Sequence, residues 1–171
     1  MKTSRLWIYS LICRWLPETR FFGFKVRMLR WCGAKIGDNV RICSSAYIAG
    51  AGDLDIGDNV WIGEQCFISP NARSRVEIGA NCDIGPCVMI LNGSHEIDVC
   101  GDHIAGRGVS ESVVVSEGSW LGARSVILPG VNLPAKTIVA AGSVVVNSPS
   151  RSFVLLAGTP AVEKKYYDNN N

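Results

Sequence analysis

Aliphatic residues recur every six positions along most of the chain. Ile36, Ile42 and Ile48 form one run of three, Ile56, Ile62 and Ile68 a second, and Ile78, Ile84 and Ile90 a third. Val115, Leu121, Ile127, Leu133, Val139 and Val145 continue the spacing without a break. Glycine often follows directly, as Gly37, Gly57, Gly63, Gly79, Gly85 and Gly122. Small or apolar residues return four positions on, at Val40, Ala46, Val60, Cys66, Ala72, Cys82, Val88, Ser125 and Val131. A helical period would scatter such residues around a cylinder, and simple strand alternation has the wrong spacing. A prism of short parallel strands accounts for the pattern. Each hexad is one flat face, its aliphatic side chain points inward, and glycine serves the corner where the backbone turns.

The interruptions fix three hexads per coil. Two extra residues separate Ile48 from Ile56, four separate Ile68 from Ile78, nineteen separate Ile90 from Val115, and none separates Ile127 from Leu133. All these junctions fall at multiples of three hexads, so the insertions leave from one corner. Five coils then occupy residues 36–150, and a fixed period of this kind marks a repeat architecture. The expected organisation is a helical cap over residues 1–35, a solenoid domain over 36–165 carrying a loop at 91–114, and a tail at 166–171. Asp168-Asn169-Asn170-Asn171 ends the tail and is expected to fray.

Residues 4–16 are mostly apolar and end at Pro17, and residues 19–32 set Phe21, Phe24 and Met28 at helical spacing. Gly33 is the expected stop. Two helices here would close the open end of the prism, which a solenoid requires. The same stretch, residues 4–31, is also basic and rich in Trp, which suits contact with an anionic membrane surface. After Val145 the repeat dissolves, and Phe153 to Leu156 reads as one more strand.

Composition narrows the class. Of 171 residues, 47% are hydrophobic and 19% charged, which is globular rather than disordered. A net charge of +2 argues against a nucleic-acid binder. The charge is lopsided: residues 1–35 hold eight Lys/Arg and one acid, net +7, and residues 36–171 hold nine and fourteen, net −5. Seven cysteines without a C-x-x-C pair give neither a disulfide framework nor a zinc ribbon, and point to reduced thiols in a cytoplasmic protein. The apolar run from Leu6 to Cys13 is too short to span a bilayer. Arg14 and Trp15 follow it where a signal peptide needs small residues.

The candidate chemistry lies where the repeat fails. After Ile90 the next inward aliphatic is due at position 96 and is Glu96 instead, with His95 just before it. Local rules break most often at functional sites. A neutral imidazole can accept a proton from a reacting group near pH 7. A cysteine nucleophile, Cys87 or Cys100, is the competing mechanism, although Cys87 lies inside the repeat where packing explains it.

The hexad array and the segment Asn92-Gly93-Ser94-His95 together resemble the hexapeptide-repeat acyltransferases, and most nearly the sugar and antibiotic O-acetyltransferases of the maltose and galactoside type. That resemblance implies an all-β solenoid, a left-handed parallel β-helix of about five coils with an N-terminal helical segment. The left hand rests on the resemblance alone, since connections between parallel strands otherwise favour the right hand. It also implies acetyl-CoA as co-substrate, a saccharide or related small-molecule acceptor, and a homotrimer with sites between subunits. By it His95 is the general base, and Asn92, Asp98, Gln65 and Arg107 serve the acceptor. Trp120, Gly122 and Ala123 in Gly118-Ser119-Trp120-Leu121-Gly122-Ala123 would line the donor site. Ala141 and Gly142 in Ala140-Ala141-Gly142-Ser143-Val144-Val145 would let a pantetheine arm lie against the coils. The family continues with Thr-Lys where this chain has Val146-Asn147, and with Arg where it has Val162 after Gly158-Thr159-Pro160-Ala161. Lys164 and Lys165 are the remaining candidates for phosphate charge. Two other readings stand beside this one. Zinc-dependent hydration wants three ligands, and His95 and His103 in one loop are too few, so no metal is expected. A non-catalytic scaffold would need neither the Asn92–Asp98 excursion nor the Gly158–Ala161 closure.

Overall fold

The computed structural model describes residues 1–167, so the expected fraying of Asp168–Asn171 lies outside the described residues. Three parallel sheets form the walls of a prism. The first wall stacks Lys35–Ile36, Asp53–Ile56, Arg75–Ile78, Val113–Val115 and Asn132–Leu133. The second stacks Arg41–Ile42, Trp61–Ile62, Asp83–Ile84, Trp120–Leu121 and Ile138–Val139. The third stacks Tyr47–Ile48, Phe67–Ser69, Met89–Leu91, Val126–Ile127 and Val144–Val145. The register joins hexads one coil apart, as in Ile36 with Ile56, Ile62 with Ile84 and Ile127 with Val145. This is the parallel β-helix of five coils that the repeat predicts.

All fifteen aliphatic residues of the repeat are buried, from Ile36 at 7% exposed to Val145 at 0%. The second inward position lies two residues before each of them. It is Leu54 and Val76 where the chain has insertions, and Ser119, Thr137 and Ser143 in the later coils. Ala72 is a correction: it is exposed, because the four inserted residues carry it into the corner and Val76 takes the inward place.

The glycines after the aliphatic residues have a different reason from the one expected. The left-handed backbone falls two residues further on, at Asn39, Asn59, Asn81, Gln65, Cys87 and Arg124. Asparagine tolerates that conformation, and three of these residues form a ladder, Asn39 to Asn59 at 2.9 Å and Asn59 to Asn81 at 3.1 Å. The glycines instead sit where successive coils nearly touch. A Cβ at Gly57 would lie 2.6 Å from the Ala80 nitrogen, one at Gly79 2.6 Å from the Glu117 nitrogen, and one at Gly122 2.6 Å from the Ala141 nitrogen.

Helix α1, Thr3–Cys13, and helix α2, Phe22–Cys32, close the first coil. Leu6, Tyr9, Cys13, Val26, Leu29 and Cys32 point into the same core as the isoleucines. Gly33 ends α2 with φ 101°. Lys25 is fully buried, and its ammonium donates to the Glu18 carbonyl at 2.9 Å and to the Ser44 hydroxyl at 3.1 Å. Burial holds its pKa below the usual lysine value. At the other end Val154–Gly158 adds a sixth strand to the second wall, parallel to Ile138–Val139. The chain then turns back as Ala161–Tyr166, antiparallel to it, which the dissolving repeat does not reveal.

Candidate functional site

The long insertion is not an irregular loop. It is a two-stranded hairpin, Gly93–Ile97 paired antiparallel with Ala105–Ser110, standing at the corner between the third and first walls. Its root is fixed by Asn92. That side chain is fully buried, accepts the Asn71 N–H at 2.7 Å and donates to the Ser74 hydroxyl at 2.9 Å. Its carbonyl accepts the Glu111 N–H at 2.8 Å. The four-residue insertion one coil earlier therefore supplies the hairpin's footing. The Asn92 amide is thus bonded through both its oxygen and its nitrogen within this corner.

His95 is exposed on the first hairpin strand. Its Nδ1 lies 2.9 Å from the Gly106 carbonyl on the second. A carbonyl only accepts, so this contact selects the tautomer with the proton on Nδ1. The Nε2 lone pair is then left for a proton from outside. Glu96 and Arg107 pair across the hairpin at 2.7 Å, and the carboxylate raises the Arg107 pKa above its ordinary value. Asp98 does not reach His95: its Oδ1 accepts the N–H groups of Cys100 at 3.0 Å and Gly101 at 2.9 Å and so shapes the hairpin tip. The contact to His95 Nδ1 is made instead by the Gly106 carbonyl.

The remaining candidates lie on other parts of the prism. Gln65 sits at the corner between the second and third walls, left-handed at φ 55°, and accepts a thiol contact from Cys87 at 3.5 Å. Gly122 and Ala123 occupy the same corner two coils later, and Ala141 and Gly142 the next, with the Gly142 N–H donating to the Ala123 carbonyl at 2.9 Å. This edge is thus built from small residues, and Ala141 and Gly142 are exposed on it. Arg124 stands on it as well, exposed and left-handed at φ 60°. Arg124 carries no motif of its own in the sequence, although it holds the third place after Leu121 just as Gln65 does after Ile62. Trp120 is 55% exposed on the second wall. Lys164 and Lys165 are exposed on the last strand of that wall, with the Lys165 ammonium 4.8 Å from the Tyr167 ring centre. The structure therefore places most of the candidates on the two edges of the third wall and leaves Trp120, Lys164 and Lys165 on the second wall. The His95 hairpin borders one edge, and Gln65, Ala123, Arg124, Ala141 and Gly142 border the other.

The cysteines divide equally clearly. Cys13, Cys32, Cys43, Cys66 and Cys82 are buried. Burial pushes their thiols up, Cys66 to about 11, which keeps them protonated and unreactive. Cys87 is half-buried and Cys100 exposed.

Against known proteins, no family model matches the chain. It is 31% identical over 160 residues to the "Putative colanic acid biosynthesis acetyltransferase WcaF" of Escherichia coli, an alignment covering 92% of this chain and 84% of that protein. Among solved structures, the hexapeptide-repeat containing acetyltransferase VCA0836 of Vibrio cholerae, complexed with acetyl-CoA, superposes with a TM-score of 0.62 at 20% identity, over 98% of this chain and 87% of that one. AntD, an N-acyltransferase from Bacillus cereus in complex with dTDP and 3-hydroxybutyryl-CoA, gives 0.71 at 21% identity, over 80% and 74%.

Proposed function

The chain belongs to the hexapeptide-repeat acetyltransferases, and on that premise we propose that it moves an acetyl group from acetyl-CoA to a hydroxyl of a saccharide or related small molecule, with His95 as general base. The observation that carries this is the Nδ1 contact to Gly106, which leaves Nε2 as the acceptor of the hydroxyl proton. As that proton moves to His95, the acceptor oxygen bonds to the thioester carbonyl carbon and CoA departs as its thiol. The edge of Gly122, Ala123, Ala141 and Gly142 fits the donor, because small residues let a thin pantetheine arm approach the backbone. Arg124, Lys164 and Lys165 are the cations for its phosphates, where the family's usual lysine is replaced by Asn147. Trp120 lies on the adjoining wall. In this reading Gln65 and Arg107 hydrogen-bond the acceptor, and Asn92 and Asp98 hold the hairpin that presents His95. The free thiols and the use of acetyl-CoA suit the cytoplasm.

A homotrimer is part of the same proposal. The outward row of the third wall is Tyr47, Phe67, Met89, Val126 and Val144, with Tyr47 stacked on Phe67 at 5.8 Å. The first wall shows Lys35, Asp55, Glu77, Val114 and Asn132. An uncharged row of this kind suits contact between copies. With three copies turning this wall to a common axis, the His95 edge of one meets the Ala141–Gly142 edge of the next, so each site takes one edge from each of two copies.

The test incubates the protein with radiolabelled acetyl-CoA and a panel of saccharides, then treats the products with hydroxylamine. Label that is transferred and released by hydroxylamine supports an O-ester. Transferred label that resists it identifies an amide and refutes the hydroxyl acceptor. Met89→Asp is expected to lower the assembled mass by light scattering and to lose transfer with it. A Met89→Asp protein that is monomeric and fully active would refute the shared site.

A further inference from the structure

We infer that the outer face of the two-helix cap is a docking surface for an anionic phospholipid bilayer. The face lies in the headgroup layer and does not cross the membrane. On α1 the buried side carries Leu6, Tyr9 and Cys13. The opposite side carries Trp7, Ile8 and Leu11, with Trp15 just past its end, and all four are exposed, Trp7 at 68% and Trp15 at 85%. Phe21 at 60%, Phe24 and Trp31 extend the exposed apolar surface along the entrance to α2 and the helix itself. Three of the five tryptophans of the chain are here. A helix with one apolar side in the core needs a polar opposite side in water, and α1 has the reverse. Exposed large apolar side chains grouped on one element mark an interaction surface.

Charge identifies the occupant. Lys2, Arg14, Arg20 and Arg27 are exposed around the aromatic residues, and among the described residues none has a carboxylate partner. Arg5 lies over the Trp31 ring at 4.6 Å and ties the two helices together. The single acid of the segment, Glu18, is turned inward, where its Oε2 accepts the Ser45 N–H and hydroxyl at 3.0 Å each. Exposed Trp and Phe together with exposed, unpaired cations of the same cap match the boundary between acyl chains and anionic headgroups. Two such faces from two copies would set like charges against each other. Each helix has 11 residues, and no helix among the described residues is long and apolar enough to cross a membrane. The face therefore lies flat. The His95 hairpin leaves from the third coil, two coils below the cap, which puts its root ~20 Å from the bilayer at ~4.8 Å per coil beneath a helix layer ~10 Å thick. Docking thus leaves the hairpin clear, and it does not depend on which acceptor is used.

Co-sedimentation of the full chain with vesicles tests the inference. The protein is expected to bind vesicles of phosphatidylcholine mixed with phosphatidylglycerol at low salt, to bind phosphatidylcholine alone far less, and to dissociate at high salt. The double variant Trp7→Ser, Trp15→Ser changes only exposed positions. It should bind about tenfold more weakly, with an unchanged circular dichroism spectrum and unchanged acetyl-CoA binding. Arg14→Gln and Arg20→Gln should each cost about fivefold. No binding of the wild type to the anionic vesicles overturns the inference, as does binding that the tryptophan variant leaves intact. If the wild type stays in solution and the tryptophan variant loses assembled mass, the face belongs to a second copy and the inference fails.

Discussion

Replacing His95 with Ala is expected to lower kcat/KM for acetyl transfer by about 10²–10⁴-fold, the usual range for a general base. The side chain is exposed and, among the described residues, its hydrogen bond is the Nδ1 contact to Gly106, so removing it leaves no buried group there unpaired. The folded structure and acetyl-CoA binding should therefore be unchanged, and the loss should appear in kcat rather than in donor affinity. Steady-state kinetics with donor titrations on both proteins measure this. A His95→Ala enzyme that keeps its kcat would assign the proton to another group. Cys100 would then be the first candidate, since it is exposed in the same hairpin and five of the other cysteines are buried.

Gly79→Ala is expected to destabilise the protein by about 3 kcal/mol, at the upper end for overpacking. The new Cβ would stand 2.6 Å from the Glu117 nitrogen and 3.0 Å from its Cα. Those are backbone atoms of the next coil, held by the ladder between Arg75–Ile78 and Val113–Val115, and no rotamer change relieves the clash. Two other glycines serve as controls. Gly142 has φ 70° and open space around it, so Gly142→Ala should cost only the left-handed strain, about 1 kcal/mol. Gly23, in the first turn of α2, meets nothing within 4 Å, and Gly23→Ala should add about 0.5–1 kcal/mol of stability. Denaturant unfolding of the three variants gives the order. Equal costs for Gly79→Ala and Gly142→Ala would mean that coil-to-coil contact is not what selects glycine in the repeat.

The coils were legible because every inward aliphatic residue answers to one period. Ile36 through Val145 needed no information from distant parts of the chain. What the period leaves silent is whatever depends on contacts between coils. The glycines look like turn residues until the next coil is placed beside them, and only then does the left-handed place shift to Asn39, Asn59 and Asn81. Ala72 obeys the count from Ile68 but not the geometry, because the insertion stretches the corner. In the site, His95 stood out as the place where the repeat breaks. Its partner did not, because a backbone carbonyl such as that of Gly106 carries no side-chain signal. The resemblance alone gives Asn92 a place at the acceptor, and its burial between Asn71 and Ser74 is visible only in three dimensions. Arg124 was overlooked for the opposite reason: an arginine in a repeat is unremarked until its edge is seen to carry Ala141 and Gly142.

The central claim is that acetyl-CoA is the donor and lies along that edge. Calorimetric titration of the purified protein with acetyl-CoA, in the absence of any acceptor, tests it most directly. The account predicts one donor per chain at micromolar to low-millimolar affinity, unchanged in His95→Ala and lost in Ala141→Trp, where a large side chain at an exposed position covers the edge. Folded wild-type protein that takes up no acetyl-CoA, or an Ala141→Trp protein that binds it as well as the wild type, would contradict it.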